Sequence, residues 1–232
     1  MENEPPGRRS GGTPVSATHA LEMRSVSKIY RRRSGQVTGL GRLTLAIDPG
    51  ETVALVGPNG AGKTTALRIA ATLVEPTSGS AYVFGRDVFR FPLAARSALG
   101  TVFSSTRSFY WRLTAEHNLA FFGAAQGLSP RRARAAGRSV AAELGIAECL
   151  SVPARRLSRG VLARLALARA LLHEPALLLL DEPFSAIDEA WRVPAWRSLE
   201  RRVRKGLAVL LATHDPSLVE RCERAVSVRA HA

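Results

Sequence analysis

The residues Gly57-Pro58-Asn59-Gly60-Ala61-Gly62-Lys63-Thr64-Thr65 follow directly on the apolar run Thr52-Val53-Ala54-Leu55-Val56, and that juxtaposition leaves few folds open. Gly57, Gly62, Lys63 and Thr64 satisfy the spacing G-x-x-x-x-G-K-[ST], which needs a buried strand before it and a helix after it. Gly60 and Gly62 remove the Cβ atoms that would hold a backbone away from phosphate oxygens. A helix starting near Gly62 aims free N–H groups and its positive dipole end at an anion. Lys63 adds a movable charge for β and γ phosphates, and the Thr64 hydroxyl is placed to hold Mg²⁺. A glycine-rich turn with a chance lysine is the alternative; strand, loop and helix together argue against it.

Two more apolar runs end in polar groups. Leu177-Leu178-Leu179-Leu180 follows the helix-stopping Pro175 and reads as a strand buried on both faces, ending in Asp181 and Glu182. Alone, such an acidic pair is a solvated turn. Downstream of a phosphate loop, Asp181 is suited to hold magnesium and Glu182 to orient and deprotonate an attacking water. The run at 207–212 leads into Thr213, His214 and Asp215. A lone histidine after a strand is more often structural. Open parallel sheets, however, place their ligand at the carboxyl ends of the strands, so the three endings converge and His214 can contact a γ-phosphate.

Together with these motifs, Leu157-Ser158-Arg159-Gly160-Val161 is similar to the LSGGQ signature of the ATP-binding cassette (ABC) transporter ATPases, and the chain resembles that family over about residues 21–226. The resemblance implies an α/β fold of the phosphate-loop NTPase type. Its parts would be a mainly parallel sheet, an N-terminal antiparallel β subdomain and an α-helical subdomain inserted at about residues 88–157. It implies ATP and Mg²⁺ as cofactors, with ATP sandwiched between two subunits in a homodimer or heterodimer. Ser158 and the Gly160 N–H would then meet the γ-phosphate held by the other subunit. Asp188, in Ser185-Ala186-Ile187-Asp188, matches the D-loop that crosses the dimer interface, and Tyr30 matches the aromatic on which adenine stacks, with an ordinary core role as its alternative. The partner implied is an integral membrane permease, reached from the cytoplasmic face of the cell membrane. The segment from Arg107 to Thr114 most resembles the ATPases of ABC-2-type exporters.

Two positions depart from the family. Ser104 and Ser105 stand where it usually has glutamine; neither reaches magnesium or the attacking water directly, so Ser104 is expected to act through an intervening water. Arg159 replaces the middle signature glycine, which costs little if its φ is negative. Between phosphate loop and signature the composition is helical over 115–127 and 130–144, with Pro130 placed to start the second helix and Gly145 to end it. Ahead of these helices, Phe109, Tyr110 and Trp111 lie among arginines. They suit either core packing or the groove that receives a permease helix.

With 232 residues, 46% of them hydrophobic, the chain supports one substantial core with an inserted lobe. Residues 1–20, rich in Pro, Gly, Ser and Thr, read as a disordered tail. The last strand looks abbreviated, and no regulatory domain is expected after it. No eighteen-residue apolar run and no signal-peptide core is visible, so the pore is expected on another polypeptide. Cys149 and Cys222 have no metal-binding spacing. The net charge of +14 comes from 33 basic and 19 acidic residues. It suits an anionic leaflet, nucleic acid or merely solvated helix faces. An ABC-type ATPase acting on nucleic acid is therefore the alternative function. No coiled coil, zinc module or second cassette supports it, and nucleic acid is not an expected partner.

Overall fold

The computed structural model describes residues 19–33, 35–103 and 109–229. In its first half the chain forms β1 (Leu21–Arg32), β2 (Gly35–Ile47), β3 (Thr52–Val56), α1 (Lys63–Ala70), β4 (Ser78–Val83), β5 (Arg86–Asp87), α2 (Pro92–Arg96) and β6 (Leu99–Val102). A helical stretch follows: α3 (Ala115–Ala125), α4 (Pro130–Glu143), two short 3-10 turns and α5 (Arg159–Leu171). The chain then returns through β7 (Leu177–Asp181), α6 (Glu189–Val203), β8 (Ala208–Ala212), α7 (Pro216–Val219) and β9 (Arg224–Ser227).

Side-chain pattern sorts the strands into two sheets. The second half of β2 alternates inward Leu43, Leu45 and Ile47 with more exposed residues, as a half-buried antiparallel strand does. It pairs with β1 from Leu21↔Ile47 onward, and the sheet order is β2-β1-β4-β5. β7 and β8 are buried at every position, and they sit in the interior of a wholly parallel sheet ordered β6-β7-β8-β3-β9. Its two faces feed different cores. Leu177 and Leu179 join α1 and the antiparallel sheet in one, while Leu178 and Leu180 join α3, α4, α5 and α6 in the other. A strand packed on both faces needs apolar residues at consecutive positions, which accounts for the unbroken leucine run.

Two expected boundaries move. Ala20 belongs to the fold rather than to a tail: it is fully buried, donates from its N–H to Ile47 O at 2.7 Å and accepts from Phe84 N at 3.2 Å. Residues 1–18 of that expected tail lie outside the described residues. The helical insertion does not start at 88. Val88 is fully buried in the core beneath the antiparallel sheet, and β6 is the edge strand beside β7. The strand expected over Gly100 to Phe103 ahead of Ser104 is this β6, one residue earlier at Leu99–Val102. Apart from the five-residue α2, the helical stretch begins at Ala115.

Local signals fix the helical lobe. Thr114 and Ser129 cap α3 and α4 through their side-chain oxygens, and Pro130 occupies the first turn of α4. Gly145 follows at φ 62°, where a Cβ would lie 1.8 Å from Trp191 Cη2. Only glycine lets the chain turn there beneath the indole. Glu143, at the end of α4, ties the lobe to α6. It accepts from Arg202 Nη1 at 2.7 Å, Arg202 Nη2 at 3.2 Å and Ser198 Oγ at 2.8 Å. The Arg202 hydrogen bond holds its carboxyl below the ordinary 4.5. A depressed carboxyl stabilises above its unfolded value and loses that stabilisation as pH falls through the folded one. Glu143→Gln should therefore cost on the order of 2 kcal/mol at pH 7 in urea unfolding, with the deficit shrinking as pH falls below 4.5.

Candidate nucleotide site

The first turn of α1 is open to an anion. Its N-cap is Gly62 at φ 107°, with no side-chain cap and no acidic residue in the first turn, so its N–H groups lack local competition. A Cβ on Gly62 would lie 2.6 Å from Gly39 O and 2.9 Å from Leu40 Cδ1, so β2 presses directly on the loop. Pro58, Asn59 and Gly60 are exposed at the rim, Ala61 is buried beneath them, and Thr65 is half-buried in the helix. Lys63 Nζ donates to Gly57 O at 2.7 Å and to Pro58 O at 3.1 Å, which folds the ammonium back over its own loop.

From the neighbouring strands come the acids. Thr64 Oγ1 donates to Asp181 Oδ2 at 2.9 Å across 117 residues of sequence. Burial pushes the Asp181 carboxyl above its ordinary 3.8, opposed by the Thr64 hydrogen bond and by the charges of Arg68 and Lys63. Glu182 adopts φ 49°, a left-handed conformation costing on the order of 1–3 kcal/mol for such a residue. Pro183 follows it and disfavours helical backbone further. The surroundings hold it there: Glu182 N donates to Ala212 O at 3.0 Å, and Ser185 Oγ donates to Glu182 O at 2.9 Å. His214 Nδ1 lies 2.7 Å from Glu182 Oε1, and with the carboxylate ionised the imidazole is the donor. Thr213 Oγ1 reaches Glu182 Oε2 at 3.4 Å and accepts from Asp215 N at 3.1 Å.

A second group lies at the start of α5. Ser158 is its exposed N-cap, accepting from Val161 N at 3.2 Å, and Gly160 is buried in the first turn. Arg159 is helical, exposed and not among the positive-φ residues, so its side chain carries no backbone penalty. Asp188 makes no side-chain cap to α6; its Oδ2 lies 3.4 Å, and Ala186 O 3.1 Å, from where a Gly160 Cβ would stand. The signature and the loop carrying Asp188 are thus adjacent within one chain. Among the described residues no hydrogen bond joins Ser158 or Gly160 to the phosphate loop.

Tyr30 lies against Gly39, whose carbonyl touches Gly62, and Lys28 Nζ sits 5.3 Å over its ring. It is one residue removed from the phosphate loop. Ser104 and Ser105 lie outside the described residues. Sequence reasoning assigned no role to Ser185 or Gly39; a hydroxyl on a backbone carbonyl and a strand carbonyl on a loop leave no spacing signal. Thr64 and Asp181 offer hard oxygens, and no cluster of three or more His, Cys, Asp or Glu able to hold a metal occurs among the described residues. That donor set fits Mg²⁺, which takes few protein ligands and completes its shell with phosphate and water.

A glycine loop capping a helix at the carboxyl end of a strand in a parallel sheet, beside an acidic pair and a histidine, defines a phosphate-loop nucleotide-binding protein. The family model for ABC transporters matches residues 40–185, and the chain belongs to that family as an ABC ATPase cassette that binds ATP. It is 35% identical, over 92% of its length, to the probable multidrug ABC transporter ATP-binding protein YbhF of Escherichia coli (strain K12), spanning 36% of that relative. It is 33% identical to the lipoprotein-releasing system ATP-binding protein LolD 2 of Caulobacter vibrioides, covering 90% of this chain and 94% of that one. A dimeric bacterial ABC transporter cassette superposes with TM-score 0.83 at 25% identity, covering 90% and 94% of the two chains.

Asp181→Asn keeps the buried shape and removes the charge. Because burial raises the folded carboxyl, the nucleotide-free wild type should lose stability as pH climbs from 3.8 through that raised value, and the Asn variant should not. Thermal melts at pH 7 should show Asp181→Asn as the more stable protein, while Mg²⁺-dependent phosphate release falls about 100-fold or more.

Proposed function

We propose that this chain hydrolyses ATP with Mg²⁺ as the motor subunit of an exporter, pairing with a copy or a paralogue and docking on a separate permease at the cytoplasmic face of the membrane. One observation carries the reading. Glu182 and His214 stand ready beside the phosphate loop, while the exposed Ser158 at the open end of α5 makes no bond to that loop. A chain with both halves of a site, unjoined, is completed by a second chain placed head to tail.

In the resulting reaction, Lys63 and the N–H groups opening α1 hold the β and γ phosphates. The Glu182 carboxylate accepts a proton from the attacking water as the water oxygen bonds to the γ-phosphorus. The bond from phosphorus to the β–γ bridging oxygen breaks, and ADP leaves with the electron pair. His214 steadies the carboxylate through Nδ1, and its side chain, 73% exposed, is free to meet the γ-phosphate. Thr64 and Asp181 would hold Mg²⁺, which supplies charge neutralisation at the phosphate oxygens. Ser158 and Gly160 N–H would close over the γ-phosphate of the partner subunit.

The aromatics ahead of α3 divide between the two roles open to them. Phe109 is buried, whereas Tyr110 and Trp111 are 49% and 41% exposed, with Phe121 stacked edge-on to Tyr110 at 4.8 Å. This exposed set is the proposed permease anchor. Among the described residues no helix is long and apolar enough to cross a membrane. Export as the direction rests on the resemblance of the segment at 107–114 to ABC-2-type ATPases. Glu182→Gln should slow phosphate release about 10²–10⁴-fold and trap an ATP-bound dimer in size-exclusion chromatography with light scattering. Normal turnover without a dimer would overturn the assignment.

A further inference from the structure

Arg192, one turn into α6, joins two loops that the reaction uses. Its Nε donates to Ile187 O at 3.2 Å and its Nη1 to Asp215 Oδ2 at 3.1 Å, with Glu189 Oε2 3.4 Å from Nη1. At one end of this bridge, loop 184–188 is anchored by the buried Phe184 and Ile187, and its Ala186 and Asp188 stand against Gly160. At the other end, Asp215 directly follows His214. Its carboxylate also accepts from Ser217 N at 2.9 Å and Ser217 Oγ at 2.8 Å, and its N–H reaches the Thr213 hydroxyl that extends to Glu182. The Ser217 bonds, and secondarily the Arg192 charge, hold the Asp215 carboxyl below the ordinary range.

A continuous path therefore runs inside one subunit from the signature at Gly160, through loop 184–188 and Arg192, to the segment carrying His214. We propose that Arg192 is a positioning residue that couples closure of the signature over a neighbouring subunit's nucleotide to the alignment of His214 and Glu182 at its own site. The inference rests on the two-subunit reading above. The guanidinium is suited to the task because its rigid fork serves a carbonyl and a carboxylate together, whereas a lysine ammonium on a flexible stem acts as a point charge. As a mere stabiliser, a partly exposed ion pair of this kind contributes little, so its loss should leave the fold intact.

The test uses the full chain with ATP and Mg²⁺, comparing Arg192→Ala, Arg192→Lys and Asp215→Asn by steady-state phosphate release. Misalignment of the reacting groups should lower kcat of Arg192→Ala about 10- to 100-fold. KM for ATP should stay within about two-fold, because nucleotide binding is untouched, and the thermal midpoint within about 4 °C. Arg192→Lys should recover part of the rate through Asp215 alone, and Arg192→Ala with Asp215→Asn should be no worse than the slower single variant. In a Glu182→Gln background, Arg192→Ala should still form the ATP-bound dimer. Unchanged kcat, a rise in KM accounting for the loss, or additive effects of the two substitutions would overturn the coupling role. If Glu182→Gln alone forms no dimer, the two-subunit reading fails instead.

Discussion

The chemistry of this protein depends on the register of three parallel strands. Asp181 pairs with Ala212, and Ala212 pairs with Leu55, so one row of the sheet crosses β7, β8 and β3. Just beyond that row the chain places Glu182 on the first strand, Thr213 and His214 on the second, and Val56 with the phosphate loop on the third. A slip of one residue in β7 would turn Asp181 to the other face of the sheet, away from Thr64. The same packing that separates the two cores thereby fixes which side chains reach the nucleotide.

That edge is costly to hold in the absence of nucleotide. Asp181 is a buried carboxyl whose charged form is disfavoured there, and Glu182 occupies a left-handed backbone conformation ahead of a proline. Both are tolerated because neighbours over-determine them: the Thr64 hydroxyl on one, Ala212 O and the Ser185 hydroxyl on the other. Strain and burial located at the residues proposed to meet phosphate and water are what a preorganised site requires.

How much of this is legible in sequence follows from what each feature depends on. The strand endings are legible because an apolar run and the polar residue after it are contiguous. The start of α4 at Pro130 and the turn at Gly145 are legible for the same reason. The pairing of β6 is not, because nothing in that run itself says that it lies beside Leu177 through Leu180. Nor is the position of Tyr30, whose ring lies on a glycine of the adjacent strand. Arg192 is the least legible: its arginine neighbours in the chain look alike, and only the turn of α6 sets this one between Ile187 and Asp215.

The arginines show how such a cationic chain organises itself. Arg164 donates to Leu144 O and Gly145 O and stacks 4.5 Å from the Trp191 ring, joining the end of α4, the signature helix and the start of α6. Arg202 grips Glu143 at the same end of α4. Planar forks with several acceptors are hard to replace by lysine, and they bind helix ends that propensity alone would leave loose. The helical lobe, α5 and α6 are consequently stitched at one point. A permease helix pressing on the proposed Tyr110 and Trp111 anchor would find α3 packed on α4, and α4 tied to the helix that presents Ser158. Under the proposed docking, force applied there has a packed route to the signature, and from there the proposed Arg192 bridge offers the step to His214.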